Sequence, residues 1–110
     1  MYKDAMNDVL AERRRQDEKW GEQNHDPFVY LTVLMEEVGE LAQAALHLRY
    51  PKGGATTSNA FYAAQAHLRE EAVQTAAVAL AMIECLDRGL WTFRTDVDDQ
   101  GNPLKAGGAQ

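Results

Sequence analysis

Glu36, Glu37 and Glu40 interrupt a helical run that is otherwise apolar, Leu31-Thr-Val-Leu-Met-Glu-Glu-Val-Gly-Glu-Leu-Ala-Gln-Ala-Ala-Leu46, and a further acid, Glu71, is embedded in a second stretch of the same kind. A carboxylate in apolar surroundings is unfavourable unless a cation meets it. A divalent metal satisfies several carboxylates at once, so these residues point to a metal-dependent enzyme.

At about 100° per residue, helical geometry sorts the acids by the direction in which they point. On the helix carrying the first three, Leu31, Leu34, Met35, Val38, Leu41, Ala42 and Ala45 form one broad apolar face. Glu37 and Glu40 lie beside it, on a narrower stripe with Val33 and Ala44, and Glu36 lies further round, nearer solvent. On the next helix Glu71 shares its face with Leu68, Val78, Met82 and Leu86, whereas Glu70 falls on the side of Arg88 and reads as solvated. Gln74 follows Glu71 by one turn at the edge of the same face. If the two helices pack together, Glu37, Glu40 and Glu71 converge into an all-oxygen cluster suited to Mg²⁺, with Mn²⁺ as a substitute. The plainer alternatives are a solvated acidic face for Glu36 and Glu37, and a buried ion pair with an arginine for Glu71. A ferritin-type di-iron site needs Glu-x-x-His on inward-facing helices, and that spacing occurs only at Glu22 to His25, in a loop.

The elements that must position these acids are legible from their boundaries. A first helix spans about Tyr2 to Trp20, with Tyr2, Met6, Val9, Arg13, Gln16 and Trp20 recurring at three- and four-residue steps. Gly21 stops it, and the segment to Pro27 reads as a loop. The second helix starts near Phe28 and ends close to Tyr50, because Pro51 and Gly53-Gly54 follow. The third takes its N-cap from Thr56 to Asn59 and runs to about Arg88, with Gly89 as its stop. The expected fold is therefore all-α: three main helices over about 2–88 and an irregular tail over 89–110. In that tail, Trp91 and Phe93 suggest a short extended piece and Asp98 to Pro103 a turn. Ala76 to Ile83 is apolar around nearly the whole helix, which three helices cannot cover, so a homo-oligomer is expected over a tight alanine-rich monomer.

Bulk composition bounds the remaining possibilities. A chain of 110 residues makes one domain. A net charge of -6 argues against a nucleic-acid polymer as partner, while a small polyanion remains accessible through bridging metal ions. The lone Cys85 cannot form an intrachain disulfide, Met1 leads into a charged segment with no apolar leader, and the run from Ala76 to Ile83 is too short to span a bilayer. These features point to the cytoplasm, with no membrane partner.

The Glu36-Glu37-Val-Gly-Glu40 motif, followed by a second acidic helix, resembles the all-α, MazG-like nucleoside triphosphate pyrophosphohydrolases, whose signature is Glu-Glu-x-x-Glu, a spacer, then Glu-x-x-Asp. The flanking segments Glu12-Arg-Arg-Arg-Gln-Asp-Glu-Lys-Trp-Gly-Glu-Gln-Asn-His25 and Leu68-Arg-Glu-Glu-Ala-Val-Gln-Thr-Ala-Ala-Val78 look like the short bacterial and phage branch, including its MazZ-like members. The resemblance covers about Glu12 to Arg88. It implies hydrolysis of a (deoxy)nucleoside triphosphate to the monophosphate and pyrophosphate, a Mg²⁺ requirement, and a dimer or tetramer built from intersubunit four-helix bundles. It matches the metal ligands to Glu37, Glu40 and Glu71, and Glu36 to the group that orients or deprotonates water. Gln74 stands where the family has its final Asp; its carbonyl could ligate a cation but adds no charge. Asp87, four turns beyond Glu71, is too far to replace that acid within one subunit.

The inward stripe of the first helix turns polar halfway along, as expected where it leaves the core for a ligand cavity. Trp20 could stack on a base or simply belong to the core, Asn24 could bond its edge, and Gln16 shares the polar stripe. Lys19, Arg13 or Arg14 could reach phosphates, with Arg88 and Arg94 as further candidates. His25 reads as a brace for the loop before the second helix. The phage branch inclines the substrate towards dGTP or GTP. Housecleaning of noncanonical dNTPs such as dUTP is the alternative, as are a non-catalytic nucleotide-binding oligomer and a structural assembly whose acids form ion pairs.

Overall fold

The computed structural model describes residues 2–51, 57–89, 100 and 102. Among them the chain forms α1 (Tyr2–Trp20), α2 (Pro27–Arg49) and α3 (Ser58–Arg88), with no strand. The extended piece and turn expected from Trp91 onward lie outside the described residues, apart from Gln100 and Asn102, as does Arg94.

Each boundary has a local cause. Gly21, at φ 73°, closes α1, its N–H donating to Asp17 O at 2.7 Å. Asp26 caps α2: its carboxylate accepts from the N–H groups of Phe28 and Val29 at 2.9 and 3.0 Å. Pro27 occupies the first turn, where its missing donor is no loss. Thr57 caps α3 by accepting from Ala60 N at 3.1 Å. Gly89, left-handed at φ 66°, ends α3.

α3 is the central rod, and both α2 and α1 pack against it. Their small contact residues bring the backbones close: Ala44 on α2 and Ala77, Val78 and Cys85 on α3 are buried, as is Tyr30 near the start of α2. The loop from Gly21 to Asp26 is pinned to this unit. Tyr30 donates to Gln23 O at 2.8 Å, and Arg88 donates to Gln23 O and Asn24 Oδ1, both at 3.0 Å. The His25 ring meets Tyr30 edge-on at the entry to α2.

Several faces differ from the sequence expectation. α2 turns its narrow stripe, Tyr30, Val33, Glu37 and Ala44, towards α3, while Leu31, Met35 and Val38 of the broad face are exposed. Tyr2, Met6 and Trp20 of the α1 stripe are exposed too, and only Arg13 on that helix is buried. Within Ala76 to Ile83, Ala77 and Val78 are buried but Ala76 and Ile83 face solvent, and so does Leu86. One short helix beside another covers only the residues along the contact line, so apolarity elsewhere on α2 and α3 is left uncovered in a single chain.

Candidate metal centre

The narrow stripe of α2 meets α3 at the level of Glu71. Thr75 clasps the two helices there: its hydroxyl lies 2.7 Å from Glu71 O and 3.5 Å from Glu37 O. With the backbones held this close, one oxygen each from Glu37, Glu40 and Glu71 lie within 4.8 Å of one another. The spatial convergence expected from the two helix faces is therefore present. Glu36, next in sequence, is exposed at the rim, and Gln74 is half-buried one turn beyond Glu71.

Glu71 is only 9% exposed, yet its Oε2 has no hydrogen-bond partner, and neither does the buried Oε2 of Glu37. Among the described residues no lysine or arginine pairs with any of the three acids; the sole ion-pair neighbour is His67, whose Nε2 is 3.8 Å from Glu71 Oε1. The arginine-paired alternative for Glu71 is thus excluded among these residues. Two buried carboxylate oxygens without partners, beside the exposed acid Glu40, fit a hard divalent cation.

Desolvation, reinforced by repulsion from Glu40, pushes the Glu71 carboxyl above its ordinary value; the nearby His67 partly offsets this. Glu37 is raised for the same reason, first by burial and then by Glu40, Glu71, Glu12 and Glu36. Both groups bind protons more tightly folded than unfolded. In a chelator, the contribution of these two groups to stability is therefore expected to be most favourable below the ordinary carboxylate range. It should decline as pH rises through the raised folded values, because the folded state then holds ions it cannot solvate. Saturating Mg²⁺ should flatten or reverse that slope. Urea titrations at a series of pH values, with and without Mg²⁺, measure this, and stability rising with pH in chelator would contradict it.

The cluster stands between two cavities. On the Glu37 side is a recess of about 110 Å³ whose lining includes Arg13, Gln16, Trp20, Gln23, Tyr30 and Glu37. On the other side is a more open groove of about 580 Å³, lined by Glu40, Gln43, Ala44, His47, His67 and Glu71. Of the residues expected to meet substrate, Arg13, Gln16 and Trp20 line the recess; Lys19 and Asn24 do not. The Lys19 ammonium lies 4.7 Å over the Trp20 ring, and Asn24 spends its amide on Glu22 and Arg88. Arg88 in turn pins the loop.

The Arg13 guanidinium is engaged inside the fold. It donates to Glu84 Oε1 at 2.9 Å and Oε2 at 3.3 Å, to Asp17 at 3.0 Å and to Gln16 at 3.2 Å, and the carboxylates of Glu84 and Asp17 hold its pKa above the ordinary value. Residues near the centre that were not anticipated are Glu12, whose charge adds to the field on Glu37, and Gln43, His47 and His67. The one signal available for His67 was its position one turn before Glu71. No family model, no curated protein and no solved structure matches the chain.

Proposed function

We propose that the protein hydrolyses a (deoxy)nucleoside triphosphate to the monophosphate and pyrophosphate, with Glu37, Glu40 and Glu71 holding Mg²⁺ or Mn²⁺. The observation that carries this is the meeting of three carboxylates from two helices, two of them with buried oxygens that nothing else satisfies. A divalent cation bound there supplies the positive charge that an acidic chain needs for a polyphosphate and lowers the pKa of water. Glu36, exposed beside Glu37, takes the proton of the attacking water. The recess is smaller than the roughly 150 Å³ cavity known to enclose benzene, so a base enters only in part and stacks on Trp20 at the mouth, with Gln16 as its polar contact. Arg13 shapes the wall of that recess through its bonds to Glu84 and Asp17. dGTP or GTP is the preferred substrate.

Release of pyrophosphate from a panel of NTPs and dNTPs, with Mg²⁺ or Mn²⁺, tests this reading against Glu40→Gln. Release that is lost in the variant supports hydrolysis. Metal-dependent nucleotide binding without release supports a non-catalytic nucleotide-binding module, for which Gln74 in place of an acid is the favouring feature. If neither release nor binding is seen, a structural assembly whose acids form ion pairs is the reading supported. Substituting Gln74→Asp should tighten Mg²⁺ about tenfold by adding a fourth charge; unchanged Mg²⁺ affinity in calorimetry would remove Gln74 from the centre.

The uncovered apolar face of α2, with exposed Leu31, Met35 and Val38, supports assembly of two or four copies through an intersubunit helix bundle. Light scattering of the purified protein should give a dimer or tetramer, and Met35→Glu should shift it towards monomer. A monomeric wild type at micromolar concentration would overturn this arrangement.

A further inference from the structure

We propose that the recess beside Glu37 reads the Watson–Crick edge of guanine, the Asp17 carboxylate accepting from N1–H and the 2-amino group while the Gln16 amide donates to O6. The inference rests on the nucleotide reading above and assigns the residues that select the base. Arg13, Gln16, Asp17 and Trp20 recur at three- and four-residue steps along α1, and all four line the recess.

Hydrogen bonds fix this wall. Gln16 lies between a group that can only donate and a group that can only accept. Arg13 Nη1 donates to Gln16 Oε1 at 3.2 Å, and Gln16 Nε2 donates to Glu12 Oε2 at 3.3 Å. The amide can therefore face only one way, and its Nε2 keeps one further N–H for a ligand. Arg13 Nη2 donates to Asp17 Oδ1 at 3.0 Å. Gln16 and Asp17 are thus held side by side by the two terminal nitrogens of one guanidinium, which both oxygens of Glu84 anchor in turn. A carboxylate has about four acceptor sites, so the bond to Arg13 leaves Asp17 able to take two more donors, and its side chain is half-exposed.

The wall offers an N–H donor next to an acceptor-only group. Guanine matches it, with the acceptor O6 followed by two adjacent donors, N1–H and the 2-amino group. Adenine and cytosine place a ring-nitrogen lone pair beside their amino group, and uracil and thymine flank a single N–H with carbonyls. The Asp17 carboxylate repels each of these lone pairs, so rejection adds to attraction. At about 110 Å³ the recess takes this edge and leaves the ring face to Trp20 at the mouth.

Steady-state hydrolysis of dGTP, dITP and dATP by the full chain with Mg²⁺, beside calorimetry of dGMP and dIMP, tests the assignment. dITP keeps O6 and N1–H and lacks only the 2-amino group. The kcat/KM for dGTP should exceed that for dITP about tenfold and that for dATP about 100-fold, and dGMP should bind about tenfold more tightly than dIMP. Asp17→Asn should bring the dGTP-to-dITP ratio below about threefold, because an amide presents one acceptor where the carboxylate presents two. Gln16→Leu should weaken both nucleotides alike and keep the ratio, since both carry O6. Circular dichroism checks that the variants keep their helices. If dGTP and dITP turn over alike, or Asp17→Asn keeps the ratio, the base reading is overturned and hydrolysis stands. A dGMP preference over dIMP with no turnover upholds the base reading and overturns hydrolysis. Absence of both turnover and that preference overturns both.

Discussion

Glu71→Gln is expected to lower pyrophosphate release by about 10²–10³-fold while raising the thermal midpoint of the metal-free protein by several degrees. Both effects come from the same burial. Glu71 is enclosed between α2 and α3 with an unpaired oxygen and a raised proton affinity, so its charge opposes folding when no cation is present. An amide of the same shape removes that charge and offers an N–H₂ donor to Glu37 or Glu40. The gain is about 1 kcal/mol, which corresponds to about 4–8 °C in a domain slightly smaller than this one. The activity loss follows because the amide no longer neutralises a bound cation. Mg²⁺ should stabilise the wild type against heat and leave the variant nearly unmoved. Differential scanning calorimetry with and without Mg²⁺, beside the nucleotide assay, measures both sides. A variant that turns over at the wild-type rate, or melts earlier in chelator, would contradict this role for Glu71.

Arg13→Ala should produce the largest loss of stability among single substitutions on α1. Arg13 is 8% exposed, and its guanidinium forks onto both oxygens of Glu84, bridging α1 to α3, while also holding Asp17 and Gln16. Removing one member of a buried pair usually costs about 3–5 kcal/mol. The Glu84 side chain is 40% exposed, so water screens part of the orphaned charge and a loss of about 2–3 kcal/mol is expected. The other close tie between these helices, Arg69 to Asp8 at 2.7 Å, has both side chains half-exposed and contributes little. Glu84→Gln should cost less, about 1 kcal/mol, because Arg13 keeps Asp17. Urea denaturation orders the three proteins, and an Arg13→Ala midpoint equal to wild type would show that the bridge carries no weight.

Much of this was written in the sequence, unevenly. Gly21, Pro27 and Gly89 marked helix ends because backbone rules act on single residues, and the structure ends its helices there. Glu37, Glu40 and Glu71 were legible as a cluster because three- and four-residue steps fix their directions within each helix, and one packing contact does the rest. What periodicity could not supply was the identity of the neighbour. It marked Leu31, Met35 and Val38 as the stronger apolar face, and α3 covers the weaker one. The α1 stripe failed similarly at Tyr2 and Met6, since α1 touches α3 only along part of its length. Lys19 and Asn24 were assigned to substrate by residue type; in the structure Lys19 lies over the adjacent Trp20 ring and Asn24 is held by Arg88 at the end of α3. Nothing in the sequence singled out His47, and His67 carried only its position one turn before Glu71 on the same helix.

The most direct measurement is anomalous scattering from a crystal of the full chain soaked in Mn²⁺ and recorded at the manganese edge. A peak at about 2.1–2.4 Å from oxygens of Glu37, Glu40 and Glu71 together is expected, and it should vanish in Glu71→Gln. Ordered density for all three side chains with no manganese peak among them, at concentrations that saturate nucleotide turnover, would contradict a metal centre between α2 and α3.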